Sequence, residues 1–408
     1  MPNLNPRLKD LKPYPFERLG SLLASIKPNQ QYSAVNLSIG EPKHAAPGLV
    51  KDALTASLDG LSGYPPTAGS PKLRGALADW LKRRYRLTSL DAMTQVLPVN
   101  GSREGLFSLA QTVLDPTLGE RDPAHRPIMI CPNPFYQIYE GAAVLAGAEP
   151  YYLPQLPING YRCDWDSVPA SVWQKTSLLF VCSPGNPTGS IIGLREWVKL
   201  FELAHRYDFV IASDECYSEI YTDENSPPIG ALQAAQRLGF ADFRNLIVFG
   251  SLSKRSNCPG MRSGYAAGDS NIIKAFLLYR TYHGSAMSLT VQAASIAAWS
   301  DEAHVIENRQ SYREKFDAIT PRLQKVLSTA RPEAGFYLWA KVPGNDDEQF
   351  VAELYRKYNV LLLPGSYLAR QTDTGNPAAG YVRIALVEPL DLCLAGASRI
   401  EQFVAEYR

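Results

Sequence analysis

Paired cysteines at metal-ligand spacing, a glycine-rich nucleotide loop and a long apolar run are all missing from this chain. The six cysteines (131, 163, 182, 216, 258 and 393) are scattered with no CxxC pair, which suits reduced thiols rather than a disulfide framework. The five histidines show no metal-ligand spacing, so no metal is expected. No G-x-G-x-x-G and no Walker loop is present, which disfavours nucleotide binding. Net charge is only +1, so no global field favours nucleic acid or an anionic membrane. The one basic cluster, Lys82-Arg-Arg-Tyr-Arg86, is expected on the wet side of a helix. No apolar run reaches membrane length. The polar start Met1-Pro-Asn-Leu-Asn-Pro-Arg7 lacks an apolar signal core, so a cytoplasmic location is expected. Repeats and low-complexity tracts are also missing.

What is there is a large apolar fraction, 45% of 408 residues, enough to bury a sizeable core and to form two domains. Strand and helix patterns alternate from residue 47 to 295, as a mostly parallel sheet flanked by helices requires. Residues 1–46 read as an N-terminal arm and part of a small domain, with an amphipathic segment from Tyr14 to Ile26. Residues 47–295 read as the large domain. Residues 296–408 read as a smaller α+β domain, with a helix over Glu302–Leu327, strands at Gly335–Ala340 and Val360–Leu363, and a closing helix over Ala395–Tyr407. Proline- and glycine-rich loops fall at Asp115–Pro127, Asp223–Gly230 and Gln371–Gly380.

Four motifs carry chemistry, and each follows a strand-like run. The run Asn245–Phe249 leads into Ser251-Leu-Ser-Lys-Arg-Ser-Asn-Cys-Pro-Gly-Met-Arg262. A lysine leaving a buried strand end is kept partly desolvated and nucleophilic. Hydroxyls and an arginine nearby are what a phosphate dianion needs. Together they suggest a pyridoxal-phosphate site in which Lys254 bonds the cofactor while Ser251, Ser253 and Arg262 hold its phosphate. Asp214 ends the apolar run in Phe209-Val-Ile-Ala-Ser-Asp-Glu-Cys-Tyr217, where a carboxylate needs a cationic partner. A protonated pyridine nitrogen would supply one, and Tyr217 would reach the ring oxygen. A structural ion pair is the plainer reading of Asp214. The run Ser177–Cys182 ends in the stiff loop Ser183-Pro-Gly-Asn-Pro-Thr-Gly189, from which Asn186 would donate to the same oxygen. Finally, Gln95–Val99 passes through Gly101 into a helix that Ser102 would cap, leaving amides that form an anion site. In an open α/β sheet the ligand crevice lies at the carboxyl ends of the strands. The plain readings would have to coincide four times.

The chain resembles the fold-type I, class I/II aminotransferases from about Ser38 to the C-terminus. The strings that carry the likeness are S-I-G-E-P (38–42), G-Y-P-P-T-A-G-S-P-K-L-R (63–74), N-G-S-R-E-G-L (100–106), P-N-P-F-Y-Q-I-Y-E-G (132–141), S-P-G-N-P-T-G (183–189), S-D-E-C-Y (213–217), S-L-S-K-R-S-N-C-P-G-M-R-S-G-Y (251–265) and Y-V-R-I-A-L (381–386). The resemblance implies an α/β fold and pyridoxal 5′-phosphate as cofactor. It implies Lys254 as the lysine that carries the cofactor and shuttles the proton, with Asp214 at the ring nitrogen and Asn186 and Tyr217 at the ring oxygen. Ser102, Arg103, Ser251, Ser253 and Arg262 would surround the phosphate, and Tyr136 would stack on the ring. Arg383 would clamp the substrate α-carboxylate with a bidentate fork, which Gly40 lets the backbone approach. Without the likeness, Arg383 reads as the wet face of an alternating strand. A homodimer is implied, with Tyr64 and the loop His283–Ser288 serving the neighbour's site.

A finer pattern, S-I-G-E-P-K-H-A-A-P (38–47), C-P-N-P-F-Y-Q-I-Y-E-G-A-A (131–143), S-K-R-S-N-C-P-G-M-R-S-G (253–264) and Y-R-T-Y-H-G-S-A-M-S (279–288), resembles the succinyldiaminopimelate aminotransferases of bacterial lysine biosynthesis. That likeness implies glutamate/2-oxoglutarate as the second substrate pair and a cation for the distal carboxylate. Lys43, His44, Arg255, Arg280 and His283 are the candidates. Transfer to another amino acid (aspartate, alanine, aromatic, acetylornithine) and a lyase on the same fold stay open. A non-catalytic regulator of this fold needs an added DNA-binding module, for which only about 40 residues precede the catalytic-type domain.

Overall fold

The apolar runs pair into one seven-stranded sheet, in the order Val96–Val99, Gly264–Gly268, Leu246–Ser251, Val210–Asp214, Thr176–Cys182, Ile128–Asn133, Glu149–Pro154. The structure, a computed structural model, describes residues 4–407. Neighbours are parallel from Leu246–Ser251 to Glu149–Pro154, and only Gly264–Gly268 runs against both of its partners. Ile128–Asn133 and Leu246–Ser251 are buried along their whole length, as a sheet covered on both faces requires. One face packs on Trp80, Trp197, Phe201 and Trp299; the other packs on Leu106, Tyr139 and Phe276. Cys182 lies opposite Asp214, and Asp214 opposite Phe249. That register puts three strand ends level with one another.

A second, antiparallel sheet orders Leu363–Pro364, Tyr381–Ala385, Tyr337–Lys341 and Ser328–Thr329. Helices Ala303–Leu323, Asp347–Tyr358 and Leu390–Glu406 cover it, and the resulting core takes in Leu19, Val35 and Leu37 from the start of the chain. The N-terminal segment is held there by the parallel pairing of Val35–Asn36 with Val360–Leu361.

Three local expectations need correction. Val360–Leu363 forms two short strands, which turn at Leu362 to pair with different partners. The expected loop after Asp115 contains the helix Pro116–Arg121, with Asp115 capping it and proline at the first position, the arrangement in which proline's missing N–H costs nothing. The basic cluster is wet on one side only: Arg83 and Arg86 are exposed as expected, while Arg84 and Tyr85 turn inward. Arg84 donates to Glu219 at 2.7 Å, and Tyr85 is fully buried and donates to Glu215 at 2.8 Å. Helix Pro71–Tyr85 lies against the sheet, so its last turn faces inward on one side.

Candidate active site

At the end of Leu246–Ser251, the Ser251 hydroxyl accepts from the Ser253 amide at 3.1 Å and caps the one-turn helix Leu252–Arg255. This tight reversal aims Lys254 and Arg255 to opposite sides of the strand end. Lys254 enters a cavity of about 490 Å³ between the carboxyl edge of the large sheet and the small sheet. Its Nζ donates to the Gly40 carbonyl at 2.5 Å. Desolvation by the surrounding protein pulls its pKa down to about 8, so roughly a tenth of the amine is neutral at pH 7 where an ordinary lysine has almost none.

Asp214 lies across the cavity, 4% exposed. Its carboxylate accepts from Tyr139 Oη at 2.8 Å and the Cys216 amide at 3.3 Å. No cation pairs with it among the described residues, and burial raises its pKa. A buried carboxylate with two donors and no counter-charge is an incomplete ion pair.

The third corner is an anion cradle. Arg262 Nη1 donates to Ser253 Oγ at 3.4 Å and Nη2 to the Asn100 carbonyl at 3.3 Å. Helix Ser102–Val113 starts beside them without a side-chain cap. Its N-cap is Gly101, and Ser102, expected there, is the first helical residue. Gly101 has φ +81°, and a Cβ on it would lie 2.0 Å from Arg262 Nη2, so only glycine fits. The Ser102 hydroxyl is thereby left facing the cavity.

Arg383 closes the far side. Strand Tyr381–Ala385 is buried at every position, which rules out the wet-face reading. Nη2 donates to the Ser38 carbonyl at 2.8 Å and Nη1 to Asn186 Oδ1 at 3.1 Å, while Nε has no partner. Tyr337 supports the guanidinium at 4.4 Å and meets Tyr217 Oη at 3.1 Å. Gly40 is required by Tyr337 as well, since a Cβ there would fall 1.8 Å from the phenol oxygen. Tyr136 lines the cavity and accepts from Arg103 Nε at 2.6 Å; Arg103 also donates to Tyr14 at 3.3 Å.

The structure thus brings Gly40, Ser102, Arg103, Tyr136, Asn186, Asp214, Tyr217, Ser251, Ser253, Lys254, Arg262 and Arg383 to one cavity. Tyr64 is elsewhere, fully exposed on the surface. Two of the distal-carboxylate candidates are overturned. Arg255 is bound to Glu302 at 2.6 Å and packed on Trp80 and Trp299. Arg280 is fully buried against Glu104 and the Pro98 and Ser285 carbonyls. Their charges are spent inside the fold. His44 turns to Asn308 and Lys315, His283 is exposed at a helix end away from the cavity, and Lys43 pairs with Glu41 at 2.6 Å. Sequence reasoning missed Tyr139, Tyr337 and Tyr14. Two of them stand inside quoted or strand-forming segments, but nothing in the pattern says which face each would take.

A model of the family "Aminotransferase class I and II" matches residues 32–389. The chain belongs to that family. An LL-diaminopimelate aminotransferase of Aquifex aeolicus is 34% identical over 400 residues, covering 97% of each chain. A crystal structure of an aminotransferase from Neisseria meningitidis superposes with a TM-score of 0.93 at 52% identity, covering 99% of this chain and 100% of the other. A probable N-succinyldiaminopimelate aminotransferase from Thermus thermophilus gives a TM-score of 0.81 at 26% identity, covering 92% and 96%.

This aminotransferase uses pyridoxal 5′-phosphate, and the donor set fits that group. The desolvated lysine, the buried carboxylate without a cation and the serine–arginine cradle beside a bare helix start each match one part of an aldehyde-bearing pyridinium phosphate.

Proposed function

We propose that this aminotransferase moves an amino group between glutamate/2-oxoglutarate and N-succinyl-L,L-diaminopimelate/N-succinyl-2-amino-6-oxopimelate, a step of bacterial lysine biosynthesis. When bound, the cofactor supplies an electron sink that lets a substrate Cα–H be broken. Lys254 would carry it, and its Nζ, whose pKa is drawn down to about 8, would hold and move the proton. Asp214 would keep the ring nitrogen protonated, and Tyr217 and the amide of Asn186 would donate to the ring oxygen. Ser102, Ser251, Ser253 and Arg262 would hold the phosphate, and Tyr136 would stack on the ring. Arg383, with Nε unspent, fixes the α-carboxylate next to Gly40. The chain acts as a homodimer in which Tyr64, bare in one subunit, completes the neighbour's phosphate site.

One observation carries the choice of substrate. Arg103 is exposed at the cavity and rests on two phenols, while the charge of Glu41, which lines the same cavity, is offset by Lys43. That balance favours a distal carboxylate over a distal ammonium, and it reassigns Arg103 from the phosphate to the substrate tail. A second reading, unsuccinylated L,L-diaminopimelate, is favoured by the name of the Aquifex relative and by Glu41, which would receive the free ammonium. Steady-state assay with 2-oxoglutarate as acceptor separates them. We expect kcat/KM for the succinylated substrate to exceed that for L,L-diaminopimelate and acetylornithine by tenfold or more. A preference for L,L-diaminopimelate establishes the second reading, and indifference to both removes diaminopimelates altogether.

A further inference from the structure

A chain of polar contacts outside the cavity ends on the backbone of Lys254. Lys315, on helix Ala303–Leu323, is 2% exposed. Its Nζ meets His44 Nε2 at 2.7 Å and the Val387 carbonyl at 3.3 Å, with no ion pair among the described residues. His44 Nδ1 meets Asn308 Oδ1 at 3.0 Å, and Asn257 Nδ2 donates to the same oxygen at 3.0 Å. Asn308 Nδ2 then donates to the carbonyls of Lys254 at 3.2 Å and Arg255 at 3.4 Å.

These contacts admit one proton order. Two carbonyls face the Asn308 nitrogen, so the amide cannot be turned round without setting oxygen against oxygen. Asn308 Oδ1 can therefore only accept, and the His44 nitrogen that faces it, Nδ1, must carry the ring proton. His44 Nε2 is then an acceptor, and a charged Lys315, which can only donate, satisfies it. The cluster also holds both ends of the same lysine. Asn308 grips the Lys254 backbone, while the loop that carries His44 also carries Gly40, whose carbonyl receives Lys254 Nζ.

We propose that Lys315, His44 and Asn308 are positioning residues, whose proton order sets where the Lys254 amine sits and ties that position to the charge on Lys315. The inference rests on Lys254 being the cofactor-bearing lysine. Burial lowers Lys315 to about 8 and, with Lys315 adding to it, holds His44 below the usual imidazole range against the opposing Asn308 hydrogen bond. The other groups facing the pair are Tyr312 on the same helix, Glu388 and Cys393 on the far side of Lys315, and Asp301, His304 and Glu307 around the groove at His44. Glu388 and Cys393 favour the charged amine without outweighing burial. Above about pH 8 the amine loses its charge and its bond to His44 Nε2 weakens, while Asn308 Oδ1 still holds the ring proton on Nδ1, so the anchor of the chain slackens without a change of tautomer.

Two measurements on the full chain test this. The first is the His44 ring resonance in cofactor-free protein, assigned by its absence in His44→Gln. It should show an inflection near pH 8 that disappears in Lys315→Gln. The second is the pH titration of the visible band in the cofactor-loaded enzyme. Lys315→Gln and His44→Phe should move its midpoint by tenfold or more in proton concentration. His44→Gln, whose amide can accept from Lys315 and donate to Asn308, should stay within twofold of the parent. If Lys315→Gln and His44→Phe lower Tm but leave the midpoint within twofold, or if the His44 resonance ignores Lys315, the cluster is only structural and the proposal is overturned. Should Lys315→Gln not fold, His44→Phe decides by the same criterion. Failure of the underlying reading looks different: Lys254→Ala would then keep the visible band.

Discussion

Residues 214 and 215, and again 254 and 255, are chain neighbours that face opposite sides of the same strand ends. On the cavity side, Asp214 has two neutral donors and no cation, and Lys254 has a single carbonyl. On the other side, Glu215 accepts from Tyr85, Ser213 and the Ala231 amide at 2.7–3.1 Å. Arg255 there has Glu302, the Ala298 and Asp301 carbonyls and two indole faces. Burying a charge costs several kcal/mol unless partners are supplied. The fold supplies more of them on one side, where only Arg255 Nε goes without a partner among the described residues of this pair, and fewer on the other, where a ligand would complete the set. Sparsely partnered charge next to better partnered charge is what separates the site from its scaffold.

The largest effects should come from exchanging the roles at 254 and 255. Lys254→Met should cost roughly 10³-fold or more in turnover while leaving the Tm of cofactor-free protein unchanged or raised, since it removes an under-partnered buried amine. Arg255→Met should do the reverse, losing about 1–3 kcal/mol of stability by leaving the Ala298 and Asp301 carbonyls without their donor, with turnover per folded molecule kept. Turnover and thermal melts of both variants check this; a loss of Tm at Lys254→Met equal to that at Arg255→Met would erase the distinction. Next in size, Asp214→Ala should weaken cofactor binding by about 10²–10³-fold, as truncating one side of a desolvated charge pair does, measured by equilibrium dialysis. The smallest effect concerns Glu215. Burial raises its carboxyl from 4.5 to about 7, so the folded state keeps a proton that the unfolded chain releases between those values. Its contribution is full below about pH 4.5 and is lost as pH rises through 7, on the order of 3 kcal/mol in all. Glu215→Gln should flatten stability over that window, read from denaturant melts at pH 5 and 7.

Much of this was legible in the chain. The runs before Ser183, Glu215 and Leu252 announce strands because parallel strands are apolar on both faces, and glycine and proline mark where they stop. The motif residues Lys254, Asp214, Asn186 and Arg383 follow from those strand ends and from the family likeness. The surrounding aromatics were not legible. Tyr139 and Tyr337 look like any core tyrosine until the helix turn and strand register aim their hydroxyls. The candidates for the distal cation failed for the same reason. Arg255 and Arg280 have the right charge in motif-rich segments, but nothing local shows that Glu302 lies 47 residues on, or Glu104 176 residues back.

The sequence by itself determined the order of strands and helices, the identity of the chemical groups and their placement at strand ends. These depend on local periodicity and on backbone preferences that short segments already express. Only the tertiary structure decided which of two neighbouring charges faces the cavity, which arginines are consumed as internal counter-ions, and that Lys315, His44 and Asn308 meet behind Lys254. Such outcomes depend on distance between segments far apart in the chain, and desolvation acts on a charge only once those segments have closed around it.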